Sequence, residues 1–197
     1  MQTEKAPTFD TVFLSLGSNI GDRRQNIYTA LAEISALLNC VEIEVSPIYE
    51  TEAWGRTDQP DFLNCVAKLL FRHKTVSGSQ SDSNCYEQIL LEIKHIEQLC
   101  GRDATSEKWS ARVIDIDILL YNEAAYKSAE LVIPHIRMHE RKFVLVPLAD
   151  LAPGLIVPRS ECTVKTLLAD CKDESRVSLY LDKSRPQPAR LGLNMNS

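Results

Sequence analysis

Two aspartates on one predicted strand are the residues best suited to chemistry. Asp115 and Asp117 lie within the apolar run 113–120, which predicts a β-strand. Strand alternation places both carboxylates on one face, with their Cα atoms about 6.6 Å apart. The opposite face is predicted to carry four apolar side chains: Ile114, Ile116, Ile118 and Leu120.

Carboxylates placed side by side repel each other unless a cation lies between them. Mg²⁺ is the simplest candidate, because it binds one or two carboxylates together with substrate phosphates. A solvated strand face, or charges that protect a sheet edge, would give the same D-x-D pattern. The two aspartates alone leave both interpretations open.

Basic residues are concentrated near this strand, although the chain is acidic overall. The 197 residues include 22 Lys and Arg against 27 Asp and Glu, a formal net charge of -5. The basic cluster consists of Arg102, Lys108, Arg112, Arg137 and Arg141. Guanidinium groups match phosphate oxygens well, so the cluster predicts a local anion site. Solvated surface arginines are the alternative interpretation.

Two of the four histidines, His135 and His139, are four residues apart. On a helix this spacing could bind zinc, but Pro134 argues against a regular helix start and no HExxH glutamate lies between the histidines. A phosphate contact is therefore the preferred prediction for His135.

Composition excludes several classes of protein. No apolar run approaches the roughly 20 residues of a membrane span, and the first ten residues lack the apolar core of a secretion signal. We therefore expect a cytoplasmic chain. The acidic balance argues against a bulk nucleic-acid or membrane-surface binder, since both select surplus Lys and Arg. The six cysteines form no CxxC pair and are predicted to be reduced.

Hydrophobic periodicity predicts the elements that position these residues. Strands are expected at 12–16, 41–45, 62–71 and 113–121. Helices are expected after an N-cap at Asp22, from residue 86 to a C-cap at Gly101, and at 137–145. The polar loops 49–61 and 102–112 carry Trp54 and Trp109, both expected to be exposed.

The order β-α-β-β-α-β fits an α+β, ferredoxin-like fold, in which an antiparallel sheet has its helices on one face. The active site is then expected on the loops and on the open side of the sheet. We expect a single domain over residues 1–197, with its core at 11–160, a flexible Ser-rich insertion at 74–84 and a loosely held tail at 182–197.

Several separated motifs, in order along the chain, make the pattern more specific than the D-x-D pair. Over residues 12–158 the chain resembles the 6-hydroxymethyl-7,8-dihydropterin pyrophosphokinase family. The likeness is carried by Leu16-Gly17-Ser18-Asn19, Tyr49-Glu50-Thr51, Asp58-Gln59-Pro60-Asp61-Phe62-Leu63-Asn64, Gly101-Arg102, Trp109, Arg112, Asp115-Ile116-Asp117, Pro134-His135 and Arg141-Lys142-Phe143.

The resemblance implies an enzyme of folate biosynthesis that transfers pyrophosphate from ATP to the hydroxymethyl group of a reduced pterin and releases AMP. Asp115 and Asp117 would bind two Mg²⁺ ions and be catalytic together with Arg102 and Arg112. ATP would be bound by Glu97, Arg102, Trp109, Arg112, His135 and Arg141. The pterin would contact Gly17, Thr51, Trp54, Phe62, Asn64 and Phe143. We expect a monomer with no nucleic-acid or membrane partner.

The chain departs from the family pattern at two places. Glu52-Ala53 stands where the family often has prolines, and loop 103–108 carries less positive charge than the family pattern. The second departure weakens the expectation that this loop binds phosphate.

Two other classes of protein share part of the pattern. A nucleotidyltransferase also uses a strand D-x-D, but its Gly-Ser usually lies a short turn upstream, whereas Gly17-Ser18 precedes Asp115 by about one hundred residues. A non-catalytic binder with the same sheet, such as an RNA-recognition module, is disfavoured by the net charge and by two aspartates on the open face.

Overall fold

The computed structural model describes residues 9–38, 40–55, 58–72, 82–102 and 111–181. Within these ranges the strands are Phe9–Ser18 (β1), Cys40–Val45 (β2), Tyr49–Thr51 (β3), Phe62–Arg72 (β4), Asp115–Tyr121 (β5), Tyr126–Lys127 (β6), Val132–Ile133 (β7) and Val177–Leu179 (β8). The α-helices are Arg23–Leu38 (α1), Asp82–Leu99 (α2), Lys142–Leu151 (α3) and Val164–Asp170 (α4), and a 3₁₀ turn covers Met138–Glu140.

One antiparallel sheet carries the residues of interest. Its strand order is β5-β1-β4-β3-β8, and β2 also pairs with β4. The central strand β1 pairs Gly17 with Asn64 of β4 on one side and with Asp115 of β5 on the other. This register brings three separated motifs into one row across the sheet.

Helices α1 and α2 cover one face of the sheet, as predicted. The main apolar cluster joins Leu14 of β1 and Ile116 of β5 to Ile27 of α1 and Ile93 of α2, all of them buried. Burial of these side chains, worth roughly 1.5 to 3 kcal/mol each, stabilises the two helices against the strands.

Helix α3 covers part of the second face, so the prediction that helices lie on one face only is wrong. A second apolar cluster joins Phe13 and Val66 of the sheet to Val144 and Leu148 of α3. The physical reason is that these two strand residues leave apolar area on the second face, and its burial is favourable. Past Val66 the next residue of β4 on this face is the polar Asn64, and there the face lines a cavity.

A β-bulge changes which face one predicted residue occupies. The pairing of β1 with β5 shifts register between Phe13 and Leu14, which face Leu120 and Ile118 respectively. A β-bulge inserts one extra residue into a strand, which interrupts the period-2 alternation of its side chains. Leu120 therefore joins the second cluster with Phe13, and its predicted place opposite the aspartates is wrong.

The helix boundaries confirm two caps and correct two ranges. Asp22 accepts a hydrogen bond from the backbone of Gln25 at 3.0 Å, as an N-cap does. Gly101 has φ +91°, the left-handed conformation of a helix C-cap. The helix predicted at 137–145 begins only at Lys142, after the 3₁₀ turn. Helix α2 begins at Asp82, inside the predicted insertion 74–84.

The sheet extends past the predicted core at 11–160, because β8 pairs with β3. Residues 74–81 of the predicted insertion and the predicted tail at 182–197 lie outside the described residues. Among the helices that the structure describes, none combines the length and the apolar character needed to cross a bilayer.

Candidate functional site

A cavity of about 630 Å³ is lined by residues of the second face of the sheet, of the start of α3 and of α2. It is lined by every predicted site residue that the structure describes: Gly17, Thr51, Trp54, Phe62, Asn64, Glu97, Arg102, Arg112, Asp115, Asp117, His135, Arg137, Arg141 and Phe143. Trp109 and Lys108 lie outside the described residues. Motifs up to 126 residues apart along the chain (Gly17 to Phe143) therefore meet in one place.

The two strand carboxylates point to the same face and are compensated by guanidinium groups. Asp115 Oδ1 lies 2.9 Å from Arg102 Nη1 and 2.8 Å from Arg112 Nη1. Asp117 Oδ2 accepts a hydrogen bond from Arg141 Nη1 at 2.9 Å. The repulsion expected between the two carboxylates is offset by these three cations.

The end of α2 delivers Arg102 to this site. The backbone N–H of Arg102 bonds to the carbonyl of Glu97, and that of Gly101 bonds to the carbonyl of Gln98, each at 2.9 Å. This pair of bonds is a Schellman motif, which needs the left-handed Gly101. It turns the chain so that the Arg102 guanidinium contacts the Glu97 carboxylate.

Glu97 is a buried carboxylate that touches the strand as well as the arginine. Its Oε1 accepts a hydrogen bond from the backbone N–H of Ile116 at 2.8 Å. Burial raises the pKa of Glu97 to about 7, although Arg102 and the Ile116 N–H favour the charged form. Glu97 therefore fixes the position of the Arg102 side chain relative to β5.

His135 lies at the cavity wall, with its ring oriented by the backbone. Its Nδ1 accepts a hydrogen bond from the Arg137 N–H at 3.2 Å, so the neutral ring carries its proton on Nε2. Burial lowers the pKa of His135, and Nε2 lies 3.9 Å from Asp117 Oδ2. His139 is exposed on the 3₁₀ turn and does not line the cavity, so the two histidines do not form a pair.

A buried amide and a hydroxyl form a second polar group in the cavity. Asn64 Nδ2 donates a hydrogen bond to Thr51 Oγ1 at 2.7 Å, and both residues are buried. Gly17 makes this possible, because a Cβ there would lie 2.6 Å from Asn64 Oδ1. The ring of Phe62 flanks the same position, with its Cδ1 3.5 Å from that Cβ.

Aromatic rings surround the guanidinium of Arg141. Its Cζ lies 5.3 Å from the ring centre of Trp54 and 5.7 Å from that of Phe143, which are cation-π distances. Trp54, predicted to be exposed, is half-buried. Within the part of the chain that the structure describes, Arg141 Nε is buried without a hydrogen-bond partner. Such a buried donor fits an anionic ligand, because an unmade hydrogen bond there is costly.

The carboxylate pair also fits a hard divalent cation. The described residues contain no cluster of three or more Asp, Glu, His or Cys side chains of the kind that encloses a metal ion. Two carboxylates with the remaining ligands taken from water or phosphate are the donor set usual for Mg²⁺.

Sequence reasoning missed some residues of the site. Asn19 accepts a hydrogen bond from the Arg112 N–H at 2.7 Å, and its Nδ2 donates to Gln59 Oε1 at 3.3 Å. It thus links the ends of two loops, and its place in the Gly-Ser-Asn turn was the available signal. The cavity is also lined by Leu90, Ile93, Lys94 and Ile136. Leu90 and Ile93 belong to the apolar periodicity of α2, which indicated only core positions.

Carboxylates compensated by arginines, beside a buried amide and aromatic rings, define a site built for a phosphate-bearing ligand and a flat polar one. The family described as 7,8-dihydro-6-hydroxymethylpterin-pyrophosphokinase matches residues 13–153. The chain belongs to this family.

Individual relatives agree. The chain is 32% identical over 169 residues to a 2-amino-4-hydroxy-6-hydroxymethyldihydropteridine pyrophosphokinase of Haemophilus influenzae, covering 86% of this chain and 98% of that protein. A protein of the same name from Aquifex aeolicus is 40% identical over 149 residues, 75% of this chain and 84% of the other. A folic acid synthesis protein of Schizosaccharomyces pombe is 41% identical over 146 residues, which are 74% of this chain but only 18% of that protein.

Solved structures share the fold. An HPPK-DHPS structure in complex with substrates aligns with a TM-score of 0.55 and 15% identity, covering 83% of this chain and 43% of that one. A triple mutant of Plasmodium falciparum HPPK-DHPS aligns with a TM-score of 0.56 and 16% identity, covering 84% and 44%. The chain thus spans less than half of these longer proteins, and the likeness shows the fold alone.

We expect Gly17→Ala to destabilise the protein by about 1 to 3 kcal/mol, because the added methyl group collides with Asn64 and the surrounding strands are closely packed. Chemical denaturation measures the effect. Gly154→Ala is the matched control, since nothing lies within 4 Å of a Cβ added there. Equal stabilities of the two variants would contradict the predicted close approach.

Glu97→Gln should change how stability depends on pH. The pKa of Glu97 is about 7 in the folded protein and 4.5 as its ordinary value, so folding takes up a proton in this interval. The stability of the wild type, measured relative to the variant, should fall as pH rises from 4.5 to 7, by on the order of 1 to 3 kcal/mol. A stability difference between the two proteins that stays constant across this pH range would contradict the raised pKa of Glu97.

Proposed function

We propose that this chain transfers the terminal pyrophosphate of ATP to the hydroxymethyl group of 6-hydroxymethyl-7,8-dihydropterin, giving AMP and the pterin diphosphate. The observation that carries the proposal is the contact of Asp115 and Asp117 with three arginines, in the same cavity as the buried Asn64 and Thr51 pair. Family membership supports the reaction. The strand order β5-β1-β4-β2 supports the finer description of the fold as ferredoxin-like.

The triphosphate would lie against the guanidinium groups. Arg102, Arg112 and Arg141 supply positive charge in a chain whose net charge is negative, and guanidinium forks match phosphate oxygens. The buried Arg141 Nε would find in a phosphate oxygen the partner that the described residues do not provide. His135 is neutral at pH 7 because burial lowers its pKa, so its Nε2–H can donate to phosphate without adding a full charge.

Asp115 and Asp117 would hold Mg²⁺, and two ions are the number we propose. When bound, Mg²⁺ would neutralise charge on the transferring group and lower the pKa of the attacking hydroxyl. The protein's own residues orient the reactants and exclude water around them. Glu97, which the resemblance implies helps to position ATP, would do so in this scheme through its contacts with Arg102 and the Ile116 N–H.

The reduced pterin would occupy the part of the cavity lined by Asn64 and the aromatic rings. An amide both donates and accepts hydrogen bonds, as the edge of a pterin ring requires. Phe62, Phe143 and Trp54 offer faces on which a flat heterocycle stacks. Gly17 keeps the space beside Asn64 open. The role of Trp109, the cytoplasmic location and the monomeric state remain predictions from the sequence.

Following ³¹P NMR signals of the protein with ATP, Mg²⁺ and 6-hydroxymethyl-7,8-dihydropterin tests the reaction. We expect the signals of AMP and of a pterin diphosphate to increase together. Production of ADP would indicate transfer of a single phosphate, and free pyrophosphate with an adenylated product would indicate a nucleotidyltransferase. Asp117→Asn should lower the rate by on the order of 10² or more, because it removes a carboxylate that would hold the Mg²⁺ ions at the reacting phosphates. Asp170→Asn on α4 is the matched control.

Binding of a divalent cation without nucleotide should be weak, because Arg102 and Arg112 already contact Asp115 Oδ1. Arg112→Gln removes one of these competitors and should tighten the binding of Mn²⁺ alone by about five- to tenfold, the effect of one hydrogen bond of about 1 to 1.4 kcal/mol. Electron paramagnetic resonance of free Mn²⁺ measures this. Arg72→Gln, at the far end of β4, should change nothing. Weaker metal binding by Arg112→Gln would refute the competition.

A further inference from the structure

A short segment beyond the family match contacts the elements that form the proposed pterin slot. The match ends at residue 153, whereas residues 171–181, here called the β8 segment, follow α4 and include strand β8. This segment does not line the cavity. Any effect on substrate must therefore pass through the residues that the segment contacts.

The first contact is to the strand that carries Thr51. Strand β8 pairs with β3 so that Val177 faces Thr51, and Ser178 Oγ donates to the carbonyl of Glu50 at 3.3 Å. Thr51 is the partner of the Asn64 amide inside the cavity. The β8 segment thus pairs with the outer edge of β3. The inner edge of β3 pairs with β4, which carries Asn64.

The second contact is made by Arg176, which binds both ends of the cavity loop 52–61. Its Nη2 lies 2.6 Å from Asp61 Oδ2, and its Nε lies 3.6 Å from Glu52 Oε1. The backbone N–H of Arg176 also donates to Glu52 Oε2 at 3.3 Å. Glu52 follows Thr51 directly and Asp61 directly precedes Phe62, so one side chain fixes the distance between the two ends.

The third contact reaches the start of α3. Asp173 Oδ2 accepts a hydrogen bond from the backbone N–H of Lys142 at 3.0 Å. Lys142 lies between Arg141 and Phe143, which both line the cavity. An anionic side chain at the first turn of a helix stabilises that end of the helix. The segment therefore contacts residues on two sides of the slot, namely the two ends of loop 52–61 and the start of α3.

We propose that Arg176 is a positioning residue for the pterin, acting by holding Glu52 and Asp61, and with them the neighbouring cavity residues Thr51 and Phe62, in the positions that bind the substrate. The inference rests on the proposed function, because it assigns this side of the cavity to the pterin. Arg176 touches Glu52 and Asp61 but not the cavity, so it contributes no group to the chemistry. Its effect comes from fixing the backbone at Glu52 and Asp61, so that Thr51 and Phe62 lose less conformational freedom when the pterin binds.

The test compares the binding of two ligands by calorimetry, with the full chain. We expect Arg176→Ala to weaken binding of 6-hydroxymethyl-7,8-dihydropterin, measured in the presence of a non-hydrolysable ATP analogue and Mg²⁺, by about two- to fivefold, the range that exposed ion pairs support. Binding of the ATP analogue should stay unchanged. Lys172→Ala removes a positive charge from the same segment and is the matched control. Arg176→Lys should recover part of the affinity.

Asp61→Asn provides a second route to the same contact. It removes one partner of Arg176 and should weaken pterin binding in the same direction, and the double variant with Arg176→Ala should be no weaker than Arg176→Ala alone. Additive losses would overturn the proposed contact as the cause.

The outcomes separate this inference from the proposed function. If the wild type binds the pterin and Arg176→Ala binds it equally well, the positioning role is wrong while the proposed function stands. If Arg176→Ala weakens both ligands to the same extent, its role is general stability, and the inference is overturned. If the wild type binds the ATP analogue but no pterin, the proposed function fails and the positioning role fails with it.

Discussion

The arrangement of the site depends on the compensation of two strand carboxylates by arginine side chains. Asp is disfavoured in strands, and two carboxylates on one face repel each other. Here Arg102 and Arg112 contact Asp115, and Arg141 contacts Asp117. These arginines come from the end of α2, from the residues before β5 and from the residue that precedes α3. One electrostatic requirement on β5 therefore ties the end of α2 and the start of α3 to this strand and to the residues that precede it.

Backbone geometry makes these contacts possible. The left-handed Gly101 turns Arg102 back toward Glu97 and the strand. Gly17 lies opposite Asn64 in the register of β1 and β4. Because Gly17 has no side chain, the Asn64 amide can approach β1 closely. The bulge near Leu120 then turns apolar side chains of β5 to the second face, where α3 packs on them. The second face of the sheet is thus divided into two parts. Its apolar end packs against α3, and its polar end lines the cavity.

What the sequence could predict followed from local signals. The placement of Asp115 and Asp117 on one strand face, the caps at Asp22 and Gly101 and the long periodic segments are each set by residues close together in the chain, and the structure confirms these positions. The second-face packing of α3 was missed because an apolar helix does not reveal which face of a sheet it covers. Strand β8 is three residues long, too short for a periodic signal, and the contacts of Arg176 depend on that strand being placed first.

Pairing of Asp115 and Asp117 with arginines affects ligand binding in a way that an enclosed metal ion would not. A guanidinium can exchange a carboxylate for a phosphate oxygen, because both accept the same paired hydrogen bonds. A triphosphate that draws Arg102, Arg112 or Arg141 toward itself exposes the negative charge of Asp115 and Asp117, and that charge then favours a cation. The residues that offset repulsion in the folded chain are thus the same ones that would couple nucleotide binding to metal binding.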